Sequence, residues 1–467
     1  MKKLLYTILL IALIQLQASA LDIVYPTKEY SKVNAPASFI IGSVMPFERL
    51  YINDSEIEVH KTGAFAKAVK LQAGKNEFKI DNGRETKTYI IERPLVGGSY
   101  KPAVFNKYLD KKVVEVTREG APMRSTSVQS GINRLSHFQK GLQLSVDGEL
   151  GDMYRVYLSP KQSAWVAKSD VKLVNANFER AFLFDFRGRE TADCYIYEFA
   201  LSKKTPYSLS EGDIMQLKIY NVSANIDNTA VFKITLNQRL MGYDIRYKGD
   251  TLVLKIKKEP KFSRKTPLKN IKVVVDAGHG GRELGAIGCC RNYEKDFNLS
   301  IAKYLQEYLQ KMGVNVYMTR HTDRFMSLND RVKYTNTKDA QIFVSIHANS
   351  LPDVVDPMSK RGSSVFYYYE EAKPLSDAIL SSVIRKMDVN NDGVHQASFA
   401  VVRNTSAVSV LVETAYIINP YDNELLMNDS FRQKYAEAIA DGIKDYVVQN
   451  RTRTSWFSKS KVKCVKV

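Results

Sequence analysis

The chain has 467 residues, 44% hydrophobic and 25% charged, enough for two to four domains at roughly 100–200 residues each and unlike a disordered or polytopic membrane protein. Its 24 glycines and 14 prolines exclude collagen-like or low-complexity sequence. The formal charge of +18, from 68 Lys and Arg against 50 Asp and Glu, points to an anionic partner: nucleic acid, a membrane surface or an acidic wall polymer.

The N-terminus bears on that choice. Lys2 and Lys3 precede an apolar run, Leu4 to Leu16, and Ala18-Ser19-Ala20 follows. A basic start, a short apolar core and an A-x-A end make residues 1–20 a secretory signal peptide. The run is shorter than the roughly 20 residues that span a bilayer. Export disfavours nucleic acid and leaves wall polymers and lipid headgroups. The four cysteines, at 194, 289, 290 and 464, are too few for a disulfide-dense scaffold. The adjacent Cys289 and Cys290 fit either a strained vicinal disulfide or two free thiols.

Residues 21–97 read as short strands with turn signals. Ala37–Gly42, Leu50–Ile52 and Asn76–Ile80 are strand-like, and Asn82-Gly83 is a hairpin turn. This spacing predicts a small β-sandwich and resembles the immunoglobulin-like modules found beside bacterial wall enzymes. In 98–176, Ala121-Pro122-Met123-Arg124 is followed by Tyr154–Leu158 and Ala164-Trp165-Val166. The order resembles bacterial Src-homology-3-like barrels; in a barrel without a ligand, Trp165 would be core. Residues 177–257 stay β-rich, with strands at Tyr195–Ala200 and Asp213–Val222. A hairpin follows, Gly242–Tyr247 and Thr251–Ile256 about Lys248-Gly249-Asp250. Residues 258–270 read as a basic linker.

The texture changes after residue 270. Strands at Ile271–Asp276, Val314–Met318, Ile342–Ile346, Val365–Tyr369 and Val410–Val412 alternate with helices at Glu294–Met312, about 373–388 and 430–448. Phe297, Ile301, Leu305 and Leu309 give the first helix one apolar face. The chain is therefore multidomain. All-β modules precede an α/β domain over 271–450 whose mostly parallel sheet is covered by helices on both faces. Residues 451–467 form a basic tail.

In such sheets the site lies at the carboxyl edge of the strands. One strand ends in Asp276-Ala277-Gly278-His279, another in Ile346-His347-Ala348-Asn349, a third in Val412-Glu413. Two histidines and a carboxylate from separate strands fit a catalytic zinc site, which commonly takes two His and one Glu. Glu294, fifteen residues after His279, opens a helix, so it is either the third ligand or an acid favoured there by the helix dipole.

The pieces VVVDAGHGG, GAIG, YEKDFNL, MTRHTDRFMSLNDRV, FVSIHANS and AVVRNTSAVSVLVETAYIINP run in order over about 180 residues. In this order they resemble the catalytic domain of zinc-dependent N-acetylmuramoyl-L-alanine amidases. The resemblance implies one zinc held by His279, Glu294 and His347, with Glu413 as the catalytic acid and base. It implies cleavage of the amide between the lactyl group of N-acetylmuramic acid and L-alanine, with peptidoglycan as partner. Another exported zinc amidohydrolase or peptidase, or a non-catalytic wall-binding scaffold, is the alternative. Where the family often has Asp-Pro-Gly-Ala this chain has Glu283-Leu284-Gly285-Ala286, a change of loop shape. Asn349, Arg403, Asn404 and Arg320 are the further positions for substrate contact. His321 and His395 read as ordinary loop histidines. Some family members carry a long helical plug over the metal. Here Tyr369–Gly393 has room for one helix, which predicts an open site.

The positive charge is unevenly placed. Residues 271–450 carry 20 basic and 22 acidic residues, whereas 451–467 carry six basic and none acidic, and 1–270 carry 42 basic and 28 acidic. The excess thus lies outside the catalytic domain. It suggests retention on anionic wall or membrane polymers in the periplasm or cell wall, with no role for nucleic acid.

Overall fold

A computed structural model of the chain describes residues 21–95, 103–212, 214–223, 227–236, 238–260, 266–449 and 463–466. The segment read as a signal peptide and most of the segment read as a tail lie outside these residues.

Residues 21–95 form two facing sheets. One contains Leu21–Tyr25, Ala37–Val44 and Ala64–Lys70; the other has five strands, including the hairpin Gly74–Asp81 and Thr86–Arg93. Strand residues alternate between faces. On Ala37–Val44, Ile40 and Val44 fill the sandwich, while Phe39 and Ile41 join the core of the C-terminal domain. Polar contacts seal this seam. Arg291 Nε donates to Asp22 at 2.7 Å, Tyr25 Oη to Asp353 at 2.7 Å, and Tyr421 Oη to Glu58 at 2.7 Å. The sandwich is packed on the domain that follows it some 180 residues later in the sequence.

Residues 106–174 form a seven-stranded antiparallel sheet around Val114, Met123, Phe138, Val156 and Val166. Trp165 does not join that core. It lies between the inward-facing Ala164 and Val166, half-buried on the outer face, edge-on to Phe105 at 5.9 Å. Residues 181–257 build two four-stranded sheets around Phe199, Leu217, Phe232 and Leu254. Lys463–Lys466, from the segment read as a tail, pairs antiparallel with Thr229–Thr235 in one of them. This module also touches the C-terminal domain: Tyr243 N donates to Thr405 O at 2.7 Å and Lys257 Nζ to Ala340 O at 2.7 Å.

The C-terminal domain has six strands, labelled β1 (Lys272–Ala277), β2 (Asn315–Met318), β3 (Ile342–Asn349), β4 (Ser363–Tyr367), β5 (Asn391–Gln396) and β6 (Val408–Tyr416). Its helices are α1 (Glu294–Lys311), α2 (Leu328–Lys338), α3 (Lys373–Lys386), α4 (Pro420–Met427) and α5 (Asp429–Gln449). The sheet order is β2-β1-β3-β6-β4-β5, and every pairing is parallel except β4 with β6. Central strands such as β1 carry an apolar run, Val273–Val275, because both sheet faces are covered. Helices α1, α3 and α5 cover one face over Val273, Val275, Val344 and Val410. The other face, Val274, Phe343 and Leu411, is covered by Tyr334 of α2 and the loop holding Val401, Val402 and Ala407. Leu268, in the segment read as linker, is buried in the first of these cores.

Candidate active site

Strands β1, β3 and β6 end side by side, and their carboxyl edge gathers the predicted groups. His279 follows β1 with φ of +58°, a left-handed conformation uncommon for a residue with a Cβ. A buried arginine holds it there. Arg331 of α2 donates to the His279 carbonyl at 2.8 Å and the Ala277 carbonyl at 2.7 Å.

Glu294 is the first residue of α1. Its Oε2 lies 3.1 Å from His279 Nε2, and its Oε1 lies 2.8 Å from His347 Nδ1 at the end of β3. The donor atoms of the three residues all fall within 4.8 Å of one another. Backbone N–H groups of Ala286 (2.8 Å) and Ala348 (3.2 Å) and Asn298 Nδ2 (3.1 Å) fix the carboxylate. Burial opposes the Glu294 charge. The hydrogen bonds and charges of both histidines outweigh it and hold the carboxyl below its usual range. Gly285 passes so close that a Cβ there would lie 2.4 Å from Glu294 Oε2. The variant loop thus brings backbone up against Glu294.

Glu413 on β6 is in register with His347 on β3. Its Oε2 is buried and has no hydrogen-bond partner among the described residues. Burial first, and the Glu294 charge second, push its pKa well above the ordinary carboxyl range. The site opens into a cleft of about 420 Å³ lined by His279, His347, Phe325, Leu328, Ala400 and Val401, among others. The chemistry of the donor set fits a zinc ion. Two imidazole nitrogens and one carboxylate converge, both histidines stay partly open to the cleft, and an orphaned carboxylate stands beside them.

The other expected contacts fare differently. Arg320 is fully buried, so it is corrected from substrate contact to scaffold. It donates to the carbonyls of Ala277 (2.9 Å), Gly278 (2.9 Å) and Lys295 (2.7 Å). Asn404 is buried too and caps its own turn through Ser406 N at 3.1 Å, which removes it from the cleft lining. Asn349 accepts from Ser350 N at 2.9 Å, a local loop bond. Arg403 is half-buried and bonds Ser398 Oγ at 3.0 Å on the side of its loop facing the 106–174 sheet. His321 and His395 are exposed. Cys289 and Cys290 are free thiols. Asp276, Asn298 and Arg331, which orient the site, were not among the expected residues. A polar Asp at the end of an apolar strand and an Asn four residues after Glu294 on α1 were the available signals.

Fold and site together define an α/β domain with a candidate His-Glu-His metal centre and an adjacent glutamate with a buried, unpartnered oxygen. Residues 273–445 match the family model described as N-acetylmuramoyl-L-alanine amidase, and this domain belongs to that family. It is 35% identical over 182 residues to the probable cell wall amidase LytH of Staphylococcus epidermidis, covering 38% of this chain and 60% of that protein. It is 34% identical over 185 residues to the Staphylococcus aureus LytH, covering 39% and 60%. The chain thus spans about three fifths of the length of these curated relatives. Among solved structures, the N-acetylmuramoyl-L-alanine amidase AmiC2 of Nostoc punctiforme is 37% identical, with a TM-score of 0.36, covering 38% of this chain and 97% of that one.

Proposed function

We propose that the chain is an exported, zinc-dependent peptidoglycan hydrolase. It cleaves the amide between the lactyl group of N-acetylmuramic acid and L-alanine of the stem peptide. The observation that carries the reading is the convergence of His279, Glu294 and His347 beside the unpartnered Glu413 carboxylate. The three ligands would hold zinc, which when bound supplies Lewis acidity toward a carbonyl and activates water.

The chain's own residues do the rest. Arg331 pins the His279 backbone, and Asn298 with two backbone N–H groups orients Glu294. Glu413 takes a proton from the attacking water at its carboxylate and returns it to the leaving amine nitrogen.

Muropeptide analysis of purified sacculi tests the reading. Wild type should release intact stem peptides from the glycan, and Glu413→Ala should not. Cuts within the stem would indicate a peptidase, and binding without cleavage a scaffold.

The family supports peptidoglycan as substrate, and the relatives are named cell wall amidases. Action at the wall follows from this reading. No helix of the described residues is long and apolar enough to cross a membrane. The positive excess outside 271–450 supports retention on anionic wall polymers. Sacculus binding by the full chain should then weaken as salt rises; binding independent of salt would remove that part of the reading.

A further inference from the structure

The barrel at 106–174 leans on one wall of the cleft. The loop 397–404 has two sides. Ala400 and Val401 line the cleft with His279 and His347, while Ser398 and Arg403 face the barrel. Gly131 of the barrel stands so close that a Cβ would lie 2.2 Å from Ser398 Cβ, and Tyr368 Oη donates to the Gly131 carbonyl at 3.2 Å. Arg403 follows Val401 by two residues, a chain reach of about 7 Å.

Four arginines meet at this seam: Arg118, Arg124 and Arg134 from the barrel and Arg403 from the loop. Only Arg118 has a carboxylate partner among the described residues, Asp170, at 2.9 Å. Arg124 is buried on neutral acceptors, Asn133 Oδ1 at 3.1 Å and the Ser130 carbonyl. Arg403 bonds Ser398, also neutral. Arg134 is the least satisfied. Its Nη1 faces His137 Nε2 at 3.4 Å, and its Nε is buried with no acceptor. Burial, then Arg134, Arg403 and Arg124, keep His137 neutral at ordinary pH. Three guanidinium groups without a carboxylate among the described residues, one with an enclosed and unmet donor, make a cluster of uncompensated positive charge. The fork of a guanidinium matches a carboxylate with two parallel hydrogen bonds.

We propose that this seam is a carboxylate subsite that binds the stem peptide of peptidoglycan, so that barrel and catalytic domain hold one substrate between them. The proposal rests on the amidase reading. Arg403 lies on the same loop as the cleft-lining Ala400 and Val401, on the face turned to Gly131, and a stem peptide offers a terminal carboxylate to it. A phosphate-bearing polymer has no comparable reason to sit behind the catalytic wall.

The test uses the full zinc-loaded chain and an N-acetylmuramyl peptide, with free or amidated carboxylates. Arg134→Gln should raise KM about tenfold for the free acid, with kcat within about twofold. The amidated substrate should show equal KM in variant and wild type, and Arg134→Lys should recover part of the loss. Equal loss on both substrates, or no change in KM, would overturn the subsite. If Arg134→Gln does not fold, judged by thermal melting, Arg403→Gln carries the same comparison.

Calorimetric binding of the free stem peptide and its amide separates the two readings. No cleavage by wild type would defeat the amidase, whereas equal binding of acid and amide would defeat the subsite. Binding of glycerol-phosphate oligomers that Arg134→Gln abolishes, with peptide binding intact, would also overturn it.

Discussion

Arg331 Nη1 lies 2.5 Å from Asp276 Oδ1, and both side chains are buried beneath the candidate metal site. The carboxylate also accepts from Thr319 at 2.6 Å and Ser345 at 2.7 Å. Burial disfavours its charge, but Arg331 and these hydroxyls overcome that and lower its pKa. Anchored in this way, Arg331 reaches the carbonyls of Ala277 and His279. The pair therefore ties α2 to the end of β1 and sets the His279 backbone.

Asp276→Asn should destabilise the catalytic domain by about 3–5 kcal/mol, because it leaves a buried guanidinium without its counter-charge. Denaturant titration with zinc removed measures this directly. A change below about 1 kcal/mol would show that the pair is dispensable.

Gly285→Ala should weaken zinc binding about 10–100-fold, the usual effect of disturbing groups that orient metal ligands. At φ of +72° a Cβ would lie 2.8 Å from both Glu294 Cβ and His279 Cδ2, so two ligands must move. Competition with a chromogenic chelator reads the affinity, and an unchanged value would contradict the ligand set.

Much of this was legible in sequence. The buried parallel strands announce themselves as apolar runs, and α1 by its stripe of Phe297, Ile301, Leu305 and Leu309. Helix α2 had no such stripe: only Arg331 and Thr335 of it are buried, so its role is polar and periodicity could not find it. Strand β5, Asn391–Gln396, is a polar edge. His279, His347 and Glu413 were readable because strand ends converge in this topology. The docking of the sandwich was not, since it depends on contacts distant in sequence. Its trace is the strand Ala37–Val44, apolar on both faces where a two-sheet module alone needs one.

His137 should make the chain acid-sensitive well above carboxylate pH. Burial, then Arg134, lower its pKa from 6.5 to about 4, so the unfolded chain binds the proton first. The stability from the neutral ring is present above pH 6.5 and is lost as pH falls toward 4, on the order of 3 kcal/mol in all. His137→Gln should flatten that part of the stability–pH curve. Parallel curves for variant and wild type would refute the assignment.

Cys289 should resist oxidation and alkylation despite its neighbour. It is fully buried, its thiol donates to the Ile418 carbonyl at 3.1 Å, and burial raises its pKa, so little thiolate forms at neutral pH. Mass spectrometry after native iodoacetamide treatment should find it unlabelled until denaturant is added. Prompt labelling in the folded chain would mean that this loop opens.

Glu413 and the ligands should separate cleanly in zinc content. His279→Ala or His347→Ala removes one of three donors and should lose metal and activity together. Glu413 is bonded to none of the three, and its buried Oε2 has no partner. Glu413→Ala should therefore keep stoichiometric zinc by atomic analysis while turnover falls about 10²–10⁴-fold, the range for losing a general acid and base. Loss of zinc in Glu413→Ala would make Glu413 a ligand, and wild-type turnover would leave the proton transfer to another group.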